Sequence, residues 1–309
     1  MLEIRRGTDR GPQRQSAVAG GDWLHVVAPT PADLEAVRAF GVPASLLDQV
    51  RDPDERPRVE TAGDAVLVVL LFPSPTGRAE GPPWRTLPIN VLLTPRGIAT
   101  VALETPPFLE RLVAGEQGLA DPRQPAEFVL RLCWYIADAY LAALRLINAR
   151  VDQLEDELRR SLRNEEVLGL LQQQKSLTFF ATGLQSNELM LERFEALAQQ
   201  GLREPDHALL AEVRIEMRQA IEMVGIAASV LSDMMDAFAS IVSNNLNSVM
   251  KVLTSVTILL AVPALIASLY GMNVALPGAH SPWAFAGVFG GSALACVGLL
   301  LLFRRRGWL

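Results

Sequence analysis

The chain has 309 residues, with 28 Lys and Arg against 34 Asp and Glu, a net charge of -6, and half of its residues hydrophobic. An acidic balance argues against a nucleic-acid partner, which would call for a basic stripe. Two cysteines, Cys133 and Cys296, in unrelated contexts and three scattered histidines suggest no disulfide framework, metal motif or catalytic base. No Gly-rich phosphate loop or nucleophile motif occurs either, so nothing points to an enzyme.

In chain order, the charged start from Met1 to Gly20, with Arg5, Arg6, Arg10 and Arg14, lacks the apolar core of a signal peptide, which predicts a cytoplasmic beginning. Trp23 to Val27 predicts a short strand. Thr30 then caps a helix with Pro31 at its first position and Gly41 just past its end, and a second short helix follows Pro43. Arg58–Thr61, Ala65–Phe72, Pro88–Leu93 and Ile98–Leu103 are Val-, Leu- and Ile-rich strand candidates, the last two forming a hairpin. Pro73 to Pro83 reads as a loop.

From about Pro125 the period becomes helical. Phe128, Leu132, Tyr135, Ile136, Ala139, Ala143, Ile147, Val151, Leu154, Leu158 and Leu162 mark the seam of a long helix. A second helix runs from Asn164 to about Gln200. A third opens near Pro205 and has no firm stop before Tyr270, Pro263 being tolerable inside a membrane segment. Unbroken, that helix would be a rod of roughly 100 Å at about 1.5 Å per residue.

Between Val252 and Phe303 there is no Asp, Glu, Lys or Arg. Val252–Tyr270 and Trp283–Phe303 are 19 and 21 residues long, enough to span a hydrocarbon core that needs about 20 helical residues. Lys251 precedes the first span and Arg304, Arg305 and Arg306 follow the second, while the connection holds no basic residue. The positive-inside bias therefore predicts both termini in the cytoplasm and the protein in the cell (inner or plasma) membrane. The expected organisation is a cytoplasmic α/β domain over residues 1–120, a long-helix stalk over 121–250 and a membrane domain over 251–309. Within the last, the spans cover about 252–270 and 283–303, joined by an external loop at 271–282 and followed by a tail at 304–309. Gly287, Gly290, Gly291, Ser292 and Ala293 predict a small-residue face pressed against a first span.

Particular residues carry a resemblance: Ser243-Asn244-Asn245-Leu246-Asn247, Met250-Lys251-Val252-Leu253-Thr254, Tyr270-Gly271-Met272-Asn273 and the terminal Arg304-Arg305-Arg306-Gly307-Trp308-Leu309, with Glu55-Arg56-Pro57-Arg58-Val59-Glu60 upstream. The chain resembles the CorA-type magnesium transporter family, strongly over its last quarter and loosely before it. The resemblance implies a homopentamer with the first span lining a pore and the second outside it. It implies passive transport of Mg²⁺, with Co²⁺ and Ni²⁺ as lesser substrates, and closure by Mg²⁺ bound in the cytoplasmic part. Mg²⁺ would be both substrate and regulatory ligand, with no further cofactor.

By the same resemblance, Gly271, Met272 and Asn273 form the selectivity motif. A ring of Asn273 amide oxygens suits an ion that sheds water reluctantly, because neutral acceptors can grip its hydration shell. Gly271 would let the backbone leave the helix without a β-carbon penalty, and Met272 would pack behind the turn. Asn247, Met250, Leu253, Thr257, Ala261 and Ala264 match the family's pore face, and Met250 with Leu253 would form an apolar gate. Of the family's regulatory acids, only Glu212 keeps its type here.

Two departures stand out. The loop Val274 to Ser281 has no carboxylate to concentrate cations, and His280 would repel them once protonated. The acids Asp152, Glu155, Asp156, Glu157, Glu165 and Glu166 flank the turn between the first two long helices, either holding cations or forming a solvated face. The alternatives to Mg²⁺ transport are a Zn²⁺ transporter of the same superfamily and a membrane-anchored ligand sensor that does not conduct.

Overall fold

The structure, a computed structural model, describes residues 2–6, 13–15, 22–78, 80–114, 121–160, 164–198, 204–272 and 281–308. It divides into two units, Met1–Asp233 and Met234–Leu309. Among the described residues the first unit holds one seven-stranded sheet. Its strands are β1 (Leu2–Arg6), β2 (Gln13–Gln15), β3 (Asp22–Val27), β4 (Arg58–Ala62), β5 (Ala65–Pro75), β6 (Trp84–Thr94) and β7 (Gly97–Ala102). The spatial order is β2-β1-β3-β7-β6-β5-β4, with β3 and β7 parallel and every other pair antiparallel.

Helices α1 (Pro31–Ala39) and α2 (Ala44–Leu47) connect β3 to β4. Thr30 caps α1 as the sequence predicts: its hydroxyl accepts from Asp33 N and the Asp33 carboxylate accepts from Thr30 N at 3.0 Å. Gly41, at φ 101°, ends the helix in a conformation that penalises a β-carbon. Val37, Phe40, Leu46 and Val50 close over Leu24, Val26, Leu67, Val69 and Val101 on one face of the sheet. Arg58, in the segment that carries the upstream resemblance, pairs with Glu55 and with Glu60 at 3.1 Å.

The opposite face receives α4 (Pro125–Arg160) and α5 (Asn164–Ala198), with the short α3 (Leu109–Ala114) beside α4. On α5 the buried positions Gln173, Ser176, Leu177, Phe180, Gly183, Leu184, Asn187, Met190, Leu191 and Phe194 recur at three and four residues, the stripe of a packed helix. The acids Asp152, Asp156, Glu157 and Glu165 are exposed, and Glu155 and Glu157 pair with Arg159 and Arg150.

The strand ends differ from expectation. β5 runs on to Pro75 and β6 begins at Trp84, so the expected loop from Pro73 is shorter and Pro73 and Pro75 are strand residues, as Pro88 is expected to be. Leu71 stands opposite Pro88, Pro73 opposite Thr86 and Pro75 opposite Trp84. At these alternate positions the N–H points away from the β5–β6 ladder, so a proline removes no ladder bond. β4 ends opposite Val69, and where it stops, Asn187 takes over. Its Oδ1 accepts from Leu71 N at 2.9 Å and its Nδ2 donates to Leu71 O at 2.7 Å. Trp84 N, also pointing outward, donates to Ser176 Oγ at 3.2 Å. Side chains of α5 thus replace missing strand partners. β1, β2 and α3 are elements without a sequence expectation; β1 alternates Leu2 and Ile4, packed on the core, with Glu3 and Arg5, but over only five residues, and β2 is three polar residues.

Helix α6 (Glu204–Tyr270) is one helix of 67 residues, as the absence of a stop predicts. In the first unit it buries Leu210, Val213, Met217, Ala220 and Val224 and pairs Arg214 with Glu195 at 2.7 Å and Arg218 with Glu188 at 3.6 Å. The second unit contains its remainder and α7 (Ala284–Arg305). Both helices are long and apolar enough to cross a membrane, and only 6% of each candidate span is buried, unlike the core helix of a soluble protein. α7 ends in a Schellman motif: Gly307, at φ 65°, donates to Arg304 O, Trp308 N donates to Phe303 O at 2.9 Å, and the Trp308 ring stacks on Phe303.

One buried polar group sets a pH limit on the first unit. His25 on β3 is 2% exposed, and its Nδ1 lies 2.6 Å from Thr100 Oγ1. Burial holds its pKa down to about 4, with Glu3 opposing and Arg5 assisting. Between that value and the unfolded value of about 6.5 the unfolded chain binds a proton that the folded chain refuses. Stability is therefore complete above about pH 6.5 and falls by about 3 kcal/mol as the pH drops to about 4. Thermal unfolding followed across this range should show that fall in wild type, and His25→Phe should lack this part of it.

Candidate functional site

The second unit places the predicted pore residues on a single side of α6. Asn247, Met250, Leu253, Thr257, Ala261 and Ala264 are all exposed in the chain, Met250 and Leu253 by more than half. Ser255 is fully buried, and Leu259, Val262 and Ile266 are half-buried, with Ile258 and Pro263 on their flanks. At 100° per residue the mean directions of the two sets differ by about 160°. The covered set faces α7, whose own covered residues Ala284, Val288, Ser292, Cys296, Leu299 and Phe303 recur at three and four residues. Packing against α7 therefore leaves the predicted pore face entirely free.

Polar groups along these helices are satisfied locally. Thr257 Oγ1 donates to Leu253 O at 2.8 Å, Ser255 Oγ to Lys251 O at 2.8 Å and Ser292 Oγ to Val288 O at 2.8 Å. With its proton so engaged, Thr257 can only accept towards the uncovered side, which suits a cation's hydration water. Pro263 has no N–H, so Leu259 O, four residues before it, loses its helical donor. The Cys296 thiol on α7 lies 3.6 Å from Leu259 O and gives it a weak replacement bond. The second cysteine is thus more than packing, though only the distance between helices reveals it.

The mouth differs from the expectation in two ways. Gly271 is not among the glycines with positive φ; its N–H still donates to Ala267 O at 3.0 Å, so the chain keeps helical bonding there instead of leaving through a left-handed turn. A β-carbon at Gly271 would lie 3.4 Å from Ala267 O, within ordinary contact, so the backbone there does not itself require glycine. Met272 is 53% exposed and does not pack behind the turn. Asn273 and the loop through His280 lie outside the described residues.

The glycine face of α7 meets no partner within the chain. Nothing lies within 4 Å of a β-carbon built at Gly287, Gly290, Gly291 or Gly298, so within the chain these glycines do not touch the first span. A bulkier set of residues, from Ala284 to Phe303, forms the seam. Glu212 is exposed beside Arg131, Trp134, Tyr135 and Leu209 around a void of about 10 Å³. Among the described residues no three His, Cys, Asp or Glu side chains converge as metal ligands.

Comparison with known proteins bears on the whole chain. The family described as CorA-like Mg²⁺ transporter protein matches residues 18–305. The cobalt/magnesium transport protein CorA of Methanocaldococcus jannaschii is 26% identical over 294 residues, covering 93% of this chain and 91% of the relative. The protein of the same name in Thermotoga maritima is 22% identical over 276 residues, covering 87% and 78%. The complete structure of the M. jannaschii CorA magnesium transporter superposes with a TM-score of 0.85 at 23% identity, over 100% of this chain and 99% of that one. The α/β part, long helix and two C-terminal spans are thus the architecture of that transporter.

The thiol bridge is open to a double-mutant cycle. Cys296→Ala should lower the thermal stability of the detergent-solubilised chain by about 0.5–1.5 kcal/mol and Cys296→Ser should restore it. In a Pro263→Ala background, where Leu259 O regains its N–H donor, Cys296→Ala should be close to neutral.

Proposed function

The chain belongs to the CorA-like Mg²⁺ transporter family, and on that premise we propose that it assembles as a homopentamer that carries hydrated Mg²⁺, and less readily Co²⁺ and Ni²⁺, through the cell membrane into the cytoplasm. The relatives are named as transporters, not enzymes, and cobalt and magnesium are the ions in their names. In this reading residues 1–120 and 121–250 form the cytoplasmic domain and stalk, residues 251–309 the membrane domain, and both termini are cytoplasmic.

The observation that carries the proposal is the uncovered face of α6. Asn247, Met250, Leu253, Thr257, Ala261 and Ala264 lie away from α7, carry no charge and are exposed. Five copies of this face turned inward would enclose a path with α7 on the outside. An ion moving along it meets hydroxyl, amide and backbone oxygens and no fixed charge, so its water shell is retained and no proton relay is built in. The Met250 and Leu253 rings form the gate: narrow, they exclude water; widened, they wet and conduct.

Selection falls to Asn273 with Gly271 and Met272 beside it. Its amide oxygens accept hydrogen bonds from the water shell of Mg²⁺, each water being polarised by the ion. With no acid between Val274 and Ser281 the mouth gathers cations weakly, so the amide ring does most of the sorting. Closure follows Mg²⁺ bound in the cytoplasmic part, with Glu212 as the acid assigned to it.

Flux into liposomes tests the reading. Asn273→Ala should lower Mg²⁺ influx about tenfold or more, since losing one hydrogen bond to a polarised group is worth at least 1.4 kcal/mol. Proton-stimulated Zn²⁺ flux without Mg²⁺ flux would instead identify the zinc-transporting branch, and intact function without any flux a sensor. On a Cys296→Ser background, Thr257→Cys should react with a hydrophilic methanethiosulfonate reagent and block conduction, whereas Ser255→Cys, on the seam, should stay unreactive.

A further inference from the structure

A cavity of about 570 Å³ opens on the α4 side of the first unit's sheet, between β1, β3 and α3. Glu3, Arg5, His25, Val27, Leu109 and Val113 are among its walls. No part of the transport reading uses it. The register sets Glu3 opposite His25 and Arg5 opposite Trp23, so the three polar side chains share one face of neighbouring strands.

Two donors in this wall have nothing to bond. His25 is 98% buried, yet its Nε2 has no partner, and the buried Arg5 Nε has none either. The protonation state of the imidazole follows from its neighbours. The Trp23 indole can only donate, and it does so to Thr100 Oγ1 at 2.8 Å. Among the described residues the buried Thr100 hydroxyl has no acceptor for its own proton other than His25 Nδ1, 2.6 Å away, so it donates there instead of accepting a second bond. His25 is thereby a neutral imidazole with its proton on Nε2, and the residue lines the cavity with that nitrogen just beneath its surface. An unpaired buried N–H costs about 1–3 kcal/mol, so two of them in the wall of one cavity are an unmet demand for acceptors.

We propose that this cavity binds a small organic carboxylate with an apolar body. The carboxylate has acceptor capacity for both the His25 Nε2–H and the Arg5 Nε–H, and Val27, Leu109 and Val113 supply the apolar wall. The terminal nitrogen of Arg5 is held by Glu3 at 2.7 Å, which balances that pair and leaves Nε for the ligand. Glu110, also on the wall, is exposed, where water screens its charge. A bare cation is disfavoured by Arg5 and by an imidazole that presents a proton instead of a lone pair. A volume in this range is typical of small-molecule sites, which combine apolar walls with few polar groups.

The chain contains three histidines, so ¹⁵N-histidine labelling of the full protein in liposomes gives few ring signals in solid-state NMR. One should be the Nε2-protonated tautomer and remain so as the pH is lowered to about 5, marking His25. Benzoate is the probe, with benzyl alcohol as the neutral analogue of the same body. Benzoate at concentrations on the order of 10 mM should shift the His25 Nε2 signal saturably, whereas benzyl alcohol should bind about tenfold more weakly. Arg5→Leu should weaken benzoate by a similar factor, and Val113→Trp, which fills the cavity, should abolish its effect. An unshifted His25 signal, a shift linear in concentration, or equal shifts with the alcohol would overturn the proposal. The wild-type titration decides it even if a variant fails to fold, and neither result depends on Mg²⁺ flux.

Discussion

Hydrocarbon offers backbone groups no water, and this constraint governs the second unit. Every N–H and C=O in a spanning segment must find its partner within the protein, and a long helix meets that demand alone except where its ladder is interrupted. Pro263 is such an interruption, and Cys296 answers it across the helix pair. The serine and threonine hydroxyls bond back to carbonyls one turn earlier for the same reason. Within the span, what remains exposed is mostly apolar side chain, with Thr257 on the uncovered face. The site inherits this economy: it has no fixed charge because a charge facing hydrocarbon or a dry constriction would be expensive.

A related accounting explains the first unit. Sheet edges and strand extensions leave backbone groups pointing outward, and α5 supplies side chains where strands are missing. Asn187 is a buried residue with both ends of its amide on Leu71, and Ser176 does similar work at Trp84. The prolines of the β5–β6 hairpin survive because they stand only at outward positions. The His25 cavity is one place where this accounting does not close, with two unpartnered nitrogens in one wall.

Much of this was legible in the chain. Thr30, Pro31 and Gly41 mark α1 at both ends, the Val- and Leu-rich runs mark the middle strands, and helical period marks α4, α5 and α6. The family and its spans follow from Tyr270-Gly271-Met272-Asn273 in the context of charge-free segments. Hidden were β1, whose alternation of Leu2 and Ile4 with Glu3 and Arg5 spans only five residues, β2, which is three polar residues, and the strand character of Pro73 and Pro75, because a proline reads as a breaker until its N–H direction is known. The bonding at Gly271 was misread for a related reason: glycine permits a left-handed exit but does not require one.

Local chemistry is written residue by residue, so the amino-acid order determined the caps, the helix periods and the two spans. Which residues face each other was decided only in three dimensions. The small residues Gly287 and Gly291 suggested one seam, whereas the residues that lose exposure are Ser255, Leu259 and Val262 on α6 and Val288, Ser292 and Cys296 on α7, with the Cys296 thiol on Leu259 O. Periodicity gives the faces of a helix but not the neighbour of each. Rotating α7 about its axis leaves its sequence pattern unchanged, and packing together with the orphaned carbonyl at Leu259 selects the angle.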